Sequence, residues 1–131
     1  MPAIDRLFMA MKQVGGSDLH LAQGQPPKYR VHGHIEAIPG EPVLTRESLT
    51  AYLQEIAPSN HWNRHAHGGD ADFAYAMSGS DRFRANYYKH QGGLGAIFRI
   101  IPVKILTLEQ LNCPPKLKQF TLLTSGLLLV T

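Results

Sequence analysis

Three arginines, Arg82, Arg84 and Arg99, stand in a segment running from Arg82 to Pro102 that reads as two strands joined by a glycine turn. Side chains alternate faces along a strand. Arg82, Arg84 and Asn86 therefore share one face of the first strand, and Phe83, Ala85 and Tyr87 the other. On the second strand Ala96, Phe98 and Ile100 oppose Arg99. A two-residue turn at Gly92-Gly93 would set Gln91 opposite Leu94, Asn86 opposite Arg99 and Arg84 opposite Ile101. The apolar sets then coincide, and three guanidiniums share the remaining face. Positive charge gathered in this way suits an anion, above all phosphate. The alternative is a plain solvated sheet face, on which Arg82 could pair with Asp81 or Asp72.

Two other groupings could do chemistry. Asp18 and His20, at i and i+2, point to one face of a strand. A structural hydrogen-bonded pair that serves domain packing is expected there, rather than metal binding or acid–base work. His61 and His65 would share a helix face, with His67 close by. A zinc site needs further ligands and a supporting shell, and no cysteine is near. A polar, solvated helix and no metal are expected. Trp62 and Tyr52 read as packing residues, and His32 and His34 as exposed flanks of a turn.

The elements that must hold these groups follow from periodicity. Ile4, Leu7, Phe8, Met11 and Val14 recur at helical spacing over residues 3–14, and Gly15-Gly16 ends that helix. Ser17 to Ala22 alternates as a half-buried strand. Lys28–His32 and His34–Ile38 form a hairpin about Gly33. Thr45 caps a helix with the stripe Leu49, Tyr52, Leu53 and Ile56, and Glu47 complements its dipole. Pro58 breaks it, and residues 59–67 form a second short helix. A strand over Asp72–Met77 and a turn over Ser78–Asp81 lead into the arginine hairpin. Thr107 caps a short helix over 108–111, Asn112 suits a left-handed exit, and Pro114-Pro115 opens another helix. The run from Leu127 to Thr131 reads as a strand buried on both faces, as in a parallel sheet.

Composition bounds the possibilities. The chain has 131 residues, 44% hydrophobic and 18% charged, with a formal net charge of +3. That is one domain of ordinary soluble make-up, too weakly basic to demand nucleic acid. The one cysteine, Cys113, excludes an internal disulfide. No segment reaches the roughly 18–20 apolar residues of a membrane span, and no signal peptide is evident.

An ordered series of motifs resembles a known family. It comprises Ser17-Asp18-Leu19-His20-Leu21, then Gly24-x-Pro26-Pro27-x-x-Arg30-x-x-Gly33, Asp70-x-Asp72-Phe73 and Arg82-Phe83-Arg84-x-Asn86. Gly95-Ala96-x-Phe98-Arg99-x-Ile101-Pro102, Leu108-x-x-Leu111-x-x-Pro114 and Gly126-Leu127-x-Leu129-Val130-Thr131 follow. Together these resemble the N-terminal region of the type IV pilus retraction ATPases, within the secretion ATPase superfamily. The resemblance covers nearly the whole chain. His90, His32-Gly33-His34 and Cys113 depart from the family's usual residues, but no motif arginine is lost.

The resemblance implies an α+β fold: a PAS-like N-terminal domain with an antiparallel sheet over 1–102, a helical connector over 103–125, and the first strand of a RecA-like core over 126–131. It implies a cytoplasmic homo-hexameric motor, peripheral at the inner membrane, that uses ATP and magnesium. Neighbouring subunits and a pilus inner-membrane platform protein would be its partners, without nucleic acid or membrane insertion. Arg82, Arg84 and Arg99 would reach nucleotide phosphates, with Arg84 and Arg99 as arginine fingers, while Asp18 and His20 would serve structure and interfaces. The Walker A loop would follow Thr131, so this stretch alone should neither bind ATP nor hydrolyse it. A start directly at the first helix favours the retraction type over pilus extension or type II secretion ATPases. A stand-alone PAS-like sensor is the alternative from another class.

Overall fold

In the computed structural model, which describes residues 1–77, 79, 81–129 and 131, six antiparallel strands form one sheet. They are β1 (Asp18–Ala22), β2 (Lys28–Val31), β3 (His34–Ala37), β4 (Ala71–Ala76), β5 (Arg82–His90) and β6 (Gly93–Ile101), in the order β3-β2-β1-β6-β5-β4. Helices α1 (Asp5–Gln13), α2 (Arg46–Ile56) and α3 (Ser59–Ala66) precede β1 and β4, and a single turn, α4 (Leu117–Phe120), follows the sheet. Ser78 and Ser80 of the expected turn, and Val130 of the apolar run, lie outside the described residues.

Local chemistry accounts for these elements. Thr45 and Ser48 form a reciprocal capping box at the start of α2, which satisfies donors that a helix N-terminus otherwise leaves orphaned. His32 and Gly33 both take positive φ, 47° and 83°. That pair suits a two-residue hairpin turn whose twist matches the strands. The sequence reading recognised only the glycine.

All three long helices lie on one side of the sheet. Phe8 of α1 stacks on Phe83 at 4.2 Å and meets Phe98 edge-on at 5.1 Å. Tyr87 of β5 donates its hydroxyl to the Leu53 carbonyl of α2 at 2.9 Å. The same ring meets His65 of α3 at 5.6 Å. The core therefore forms between α1–α3 and the odd-numbered face of β5, in the two-layer arrangement an amphipathic sheet requires. None of α1–α3 covers the opposite face.

The arginine hairpin departs from expectation in its turn. Its tip is Gln91-Gly92, and His90 pairs with Gly93. Gly93 is needed for another reason. Its φ is 127°, and a Cβ there would lie 2.2 Å from the Gln23 side chain. The positive φ, more than the movable end of the Gln23 side chain, demands that glycine. Pairing consequently moves by two residues: Arg84 faces Arg99, and Asn86 faces Ile97. A shift of two preserves the side-chain faces, so the arginines still share one.

Two further expectations fail. Residues 108–111 form turns rather than a helix, although Thr107 and Gln110 exchange cap hydrogen bonds and Asn112 takes φ 54°. Residues 127–129 carry no strand, and Leu127 is 84% exposed. A strand needs a ladder partner for its backbone groups, and none of the six strands adjoins it. Phe8 tests the core. Phe8→Ala should lower stability by about 3–5 kcal/mol, measured by denaturant unfolding. A loss under about 1 kcal/mol would contradict the packing described.

Candidate functional site

The helix-free face carries a cross-strand row. Arg30 of β2 pairs with Asp18 of β1, Asp18 with Arg99 of β6, and Arg99 with Arg84 of β5. The adjacent row sets Lys28, His20, Ile97, Asn86 and Asp72 in the same succession. Arg84 directly opposite Arg99 is a like-charge pair, which is unfavourable by itself. Each is drawn toward a carboxylate on its other side.

Arg84 makes a forked contact with Asp72, Nε to Oδ1 at 3.2 Å and Nη2 to Oδ2 at 2.6 Å. This pair holds the Asp72 carboxyl below its ordinary range. Arg99 donates from Nε to Asp18 Oδ1 at 2.7 Å, while Arg30 Nε lies 3.2 Å from Asp18 Oδ2. The Ser17 hydroxyl adds a hydrogen bond at 2.8 Å. Asp18 is 2% exposed, although it sits on the uncovered face. Burial works to raise its carboxyl, but hydrogen bonds from Arg99 and Ser17 outweigh that and leave it below the ordinary range.

The expectation of three bare, mutually repelling arginines is therefore corrected. Arg84 and Arg99 are ion-paired, and Arg82 alone of the three has no carboxylate partner among the described residues. Asp81 pairs with Lys12 instead, and Asp72 with Arg84. The face nevertheless keeps a cationic excess, since four guanidiniums meet two carboxylates. The side chains of Arg84 and Arg99 are 70% and 71% exposed. They border, with Asn86 and Ile97, a shallow depression of about 210 Å³. Among the described residues the two Nη groups of Arg99 have no partner, so they can donate to an incoming oxyanion.

His20 is not the hydrogen-bond partner of Asp18. Its Nε2 is buried without a partner among the described residues. Burial pushes the imidazole below its ordinary range, against the pull of Asp18 and with Arg30, Arg99 and Lys28 reinforcing it. Arg30 was missed as a site residue. Its signal was the β1–β2 hairpin, whose register sets it across from Asp18. Of the three histidines near α3, His65 is 1% exposed rather than solvated. No three metal-ligating side chains cluster among the described residues.

Asp18 sets an acid limit on stability. Its folded-state carboxyl titrates below the unfolded one, so its contribution is present above about pH 4 and is lost as pH falls through the lower folded value. Asp18→Asn should lower stability at neutral pH and flatten the acid-induced loss between about pH 4 and 2, measured by thermal unfolding across pH. An unchanged acid slope would remove Asp18 from that role.

Comparison with known proteins follows the same pattern. No family model matches the chain. Over its 131 residues it is 35% identical to the type IV pilus retraction ATPase PilT of Pseudomonas aeruginosa, spanning 38% of that protein. Over 128 residues, 95% of this chain, it is 30% identical to the type IV pilus ATPase PilU of the same organism, spanning 32% of it. A crystal structure of the pilus retraction motor PilT with bound ADP superposes with a TM-score of 0.74 at 29% identity, over 89% of this chain and 34% of that one. The Legionella pneumophila ATPase DotB, at 22% identity and TM-score 0.70 over 88% and 33% of the two chains, shares the fold. The chain thus spans about a third of these relatives' length. By sequence over its whole length and by fold over 89% of it, the chain is similar to the N-terminal region of the type IV pilus retraction ATPases, as its motifs imply.

Proposed function

We propose that this chain is the N-terminal, PAS-like domain of a hexameric ATP-hydrolysing motor that powers type IV pilus retraction. In this reading its open sheet face packs against ATPase cores and brings arginines to the nucleotide. The observation that carries it is the row Arg30-Asp18-Arg99-Arg84, set on the one face that α1–α3 leave uncovered. Forked guanidinium donors fit phosphate oxygens, so Arg84 and the outer nitrogens of Arg99 suit a nucleotide's phosphates. The Arg84–Asp72 pair is solvent-exposed, with Arg84 at 70% and Asp72 at 44%, and exposed pairs are weak, so an incoming phosphate can replace Asp72. Arg99 keeps its Nε on Asp18 and offers only its Nη groups.

ATP and magnesium would be held by the core, whose P-loop and magnesium ligands lie in the rest of the protein. Phosphoryl transfer spreads charge over the transferred group's oxygens, and a positioned arginine stabilises that charge. An arginine on a separate domain also ties hydrolysis to rigid-body movement. Residues 126–131 would become the first strand of the RecA-like core once sheet partners are present. The motor would be cytoplasmic, acting at an inner-membrane pilus platform. No helix among the described residues is long and apolar enough to cross a membrane.

In the full-length protein, Arg84→Ala or Arg99→Ala should lower kcat of ATP hydrolysis by about 10³-fold, the lower end for arginine fingers, while nucleotide affinity changes far less. Steady-state ATPase kinetics with a parallel nucleotide-binding titration decide the matter. Full turnover in both variants would refute the finger role.

A further inference from the structure

On the helix side of the sheet, away from the arginine row, two cavities of about 300 and 200 Å³ adjoin near the end of β5. Both are lined by Arg46, from the first turn of α2, and by Lys89, the penultimate residue of β5. Among the described residues neither cation has an ion pair or a side-chain hydrogen bond, and no carboxylate lines either cavity. Two cations sharing a concave site without a counter-ion leave unmet charge there.

Trp62 and His65 of α3 wall the second cavity. His65 Nδ1 lies 3.3 Å from the Gly69 carbonyl oxygen. That oxygen can only accept, so the neutral ring carries its proton on Nδ1 and presents a lone pair at Nε2. Burial keeps the imidazole below its ordinary range, the Gly69 carbonyl and Asp70 pull the other way, and Lys89 adds to the lowering. Nε2 is buried with no partner among the described residues. A buried acceptor without a donor is costly and calls for an explanation.

The cavity therefore asks for one ligand that bears negative charge and also one acidic hydrogen. We propose that the Arg46–Lys89–His65 cavity binds inorganic phosphate as its hydrogenphosphate dianion. Charged oxygens accept from Arg46 and Lys89, and a P–OH group hydrogen-bonds to His65 Nε2. A carboxylate, a sulfate or a phosphomonoester dianion supplies the charge but no such hydrogen. The site lies across the sheet from the arginine row, so its test is independent of the motor reading.

Trp62 is the chain's single tryptophan, and its ring lies 5.9 Å from that of His65. The test titrates the chain with inorganic phosphate at about pH 7.5, where phosphate is mostly its dianion and unperturbed histidine mostly neutral, with chloride holding ionic strength constant. Trp62 fluorescence and the His65 ring resonances report binding. A saturable response is expected, with sulfate about tenfold weaker for want of the donated hydrogen bond. Lys89→Gln and Arg46→Gln should each weaken phosphate by about tenfold through loss of a charged donor. Both residues are exposed, so folding should survive, and Arg84→Gln should bind as the parent does. Glycerol 3-phosphate, whose dianion has no P–OH, should bind about as weakly as sulfate, and binding as tight as that of inorganic phosphate would overturn the proposal. Equal responses to sulfate and phosphate, a non-saturating response, or shifts confined to the arginine face would overturn the proposal.

Discussion

A carboxylate almost wholly shielded from water on the helix-free side of a sheet must be answered in charge where it stands. Asp18 is answered from both neighbouring strands, by Arg30 and by Arg99. Desolvating an ion costs several kcal/mol unless close, well-oriented partners return it, so β1 is stable in its place only with β2 on one side and β6 on the other. That junction joins the N-terminal hairpin to strands far along the chain. It also fixes how Arg99 lies: Nε turned to Asp18, and Nη groups turned outward.

The opposite face applies the same constraint with apolar groups. Phe83, Tyr87 and Phe98 are fully buried against Phe8 and α2. A slip of one residue in β5 or β6 would bring arginines into that core and phenylalanines into water. The charged row and the aromatic core are thus two readings of one register, and each opposes the slip that would destroy the other. Segment 103–129 has no such pairing. Ile105, Leu122 and Leu127 are exposed there, and the described residues supply no surface to bury them.

Most of the fold was legible because period-two alternation and helix caps are local signals. The helix from Ile4, the hairpin about Gly33, the Thr45 cap and the shared arginine face all follow from neighbours in sequence. The partners were much less legible. Asp72 meets Arg84 and Arg30 meets Asp18 through pairings between strands, which spacing along one strand does not encode. The expected tip of the arginine hairpin is displaced because two consecutive glycines look alike as turn residues, whereas Gly93 answers to its own positive φ at the start of β6. His65 was read as solvated because α3 is polar in composition, yet its ring faces Tyr87. Residues 127–131 carry a strand's pattern, but a pattern alone supplies no ladder.

The two paired arginines differ in a way that bears on any anion brought to this face. Asp72 is half exposed and holds Arg84 in water, where screening makes such a pair readily exchangeable. Asp18 is shielded and shared, so moving Arg99 away would leave a buried charge half answered. Arg99 is therefore a fixed donor, oriented before any ligand arrives, and Arg84 a mobile one that can change carboxylate for phosphate. A fixed donor keeps its orientation without further ordering, whereas a mobile one must be ordered on binding. A ligand drawn to this face would be registered by Arg99 and gripped by Arg84, and the geometry of Asp18 would decide where it sits.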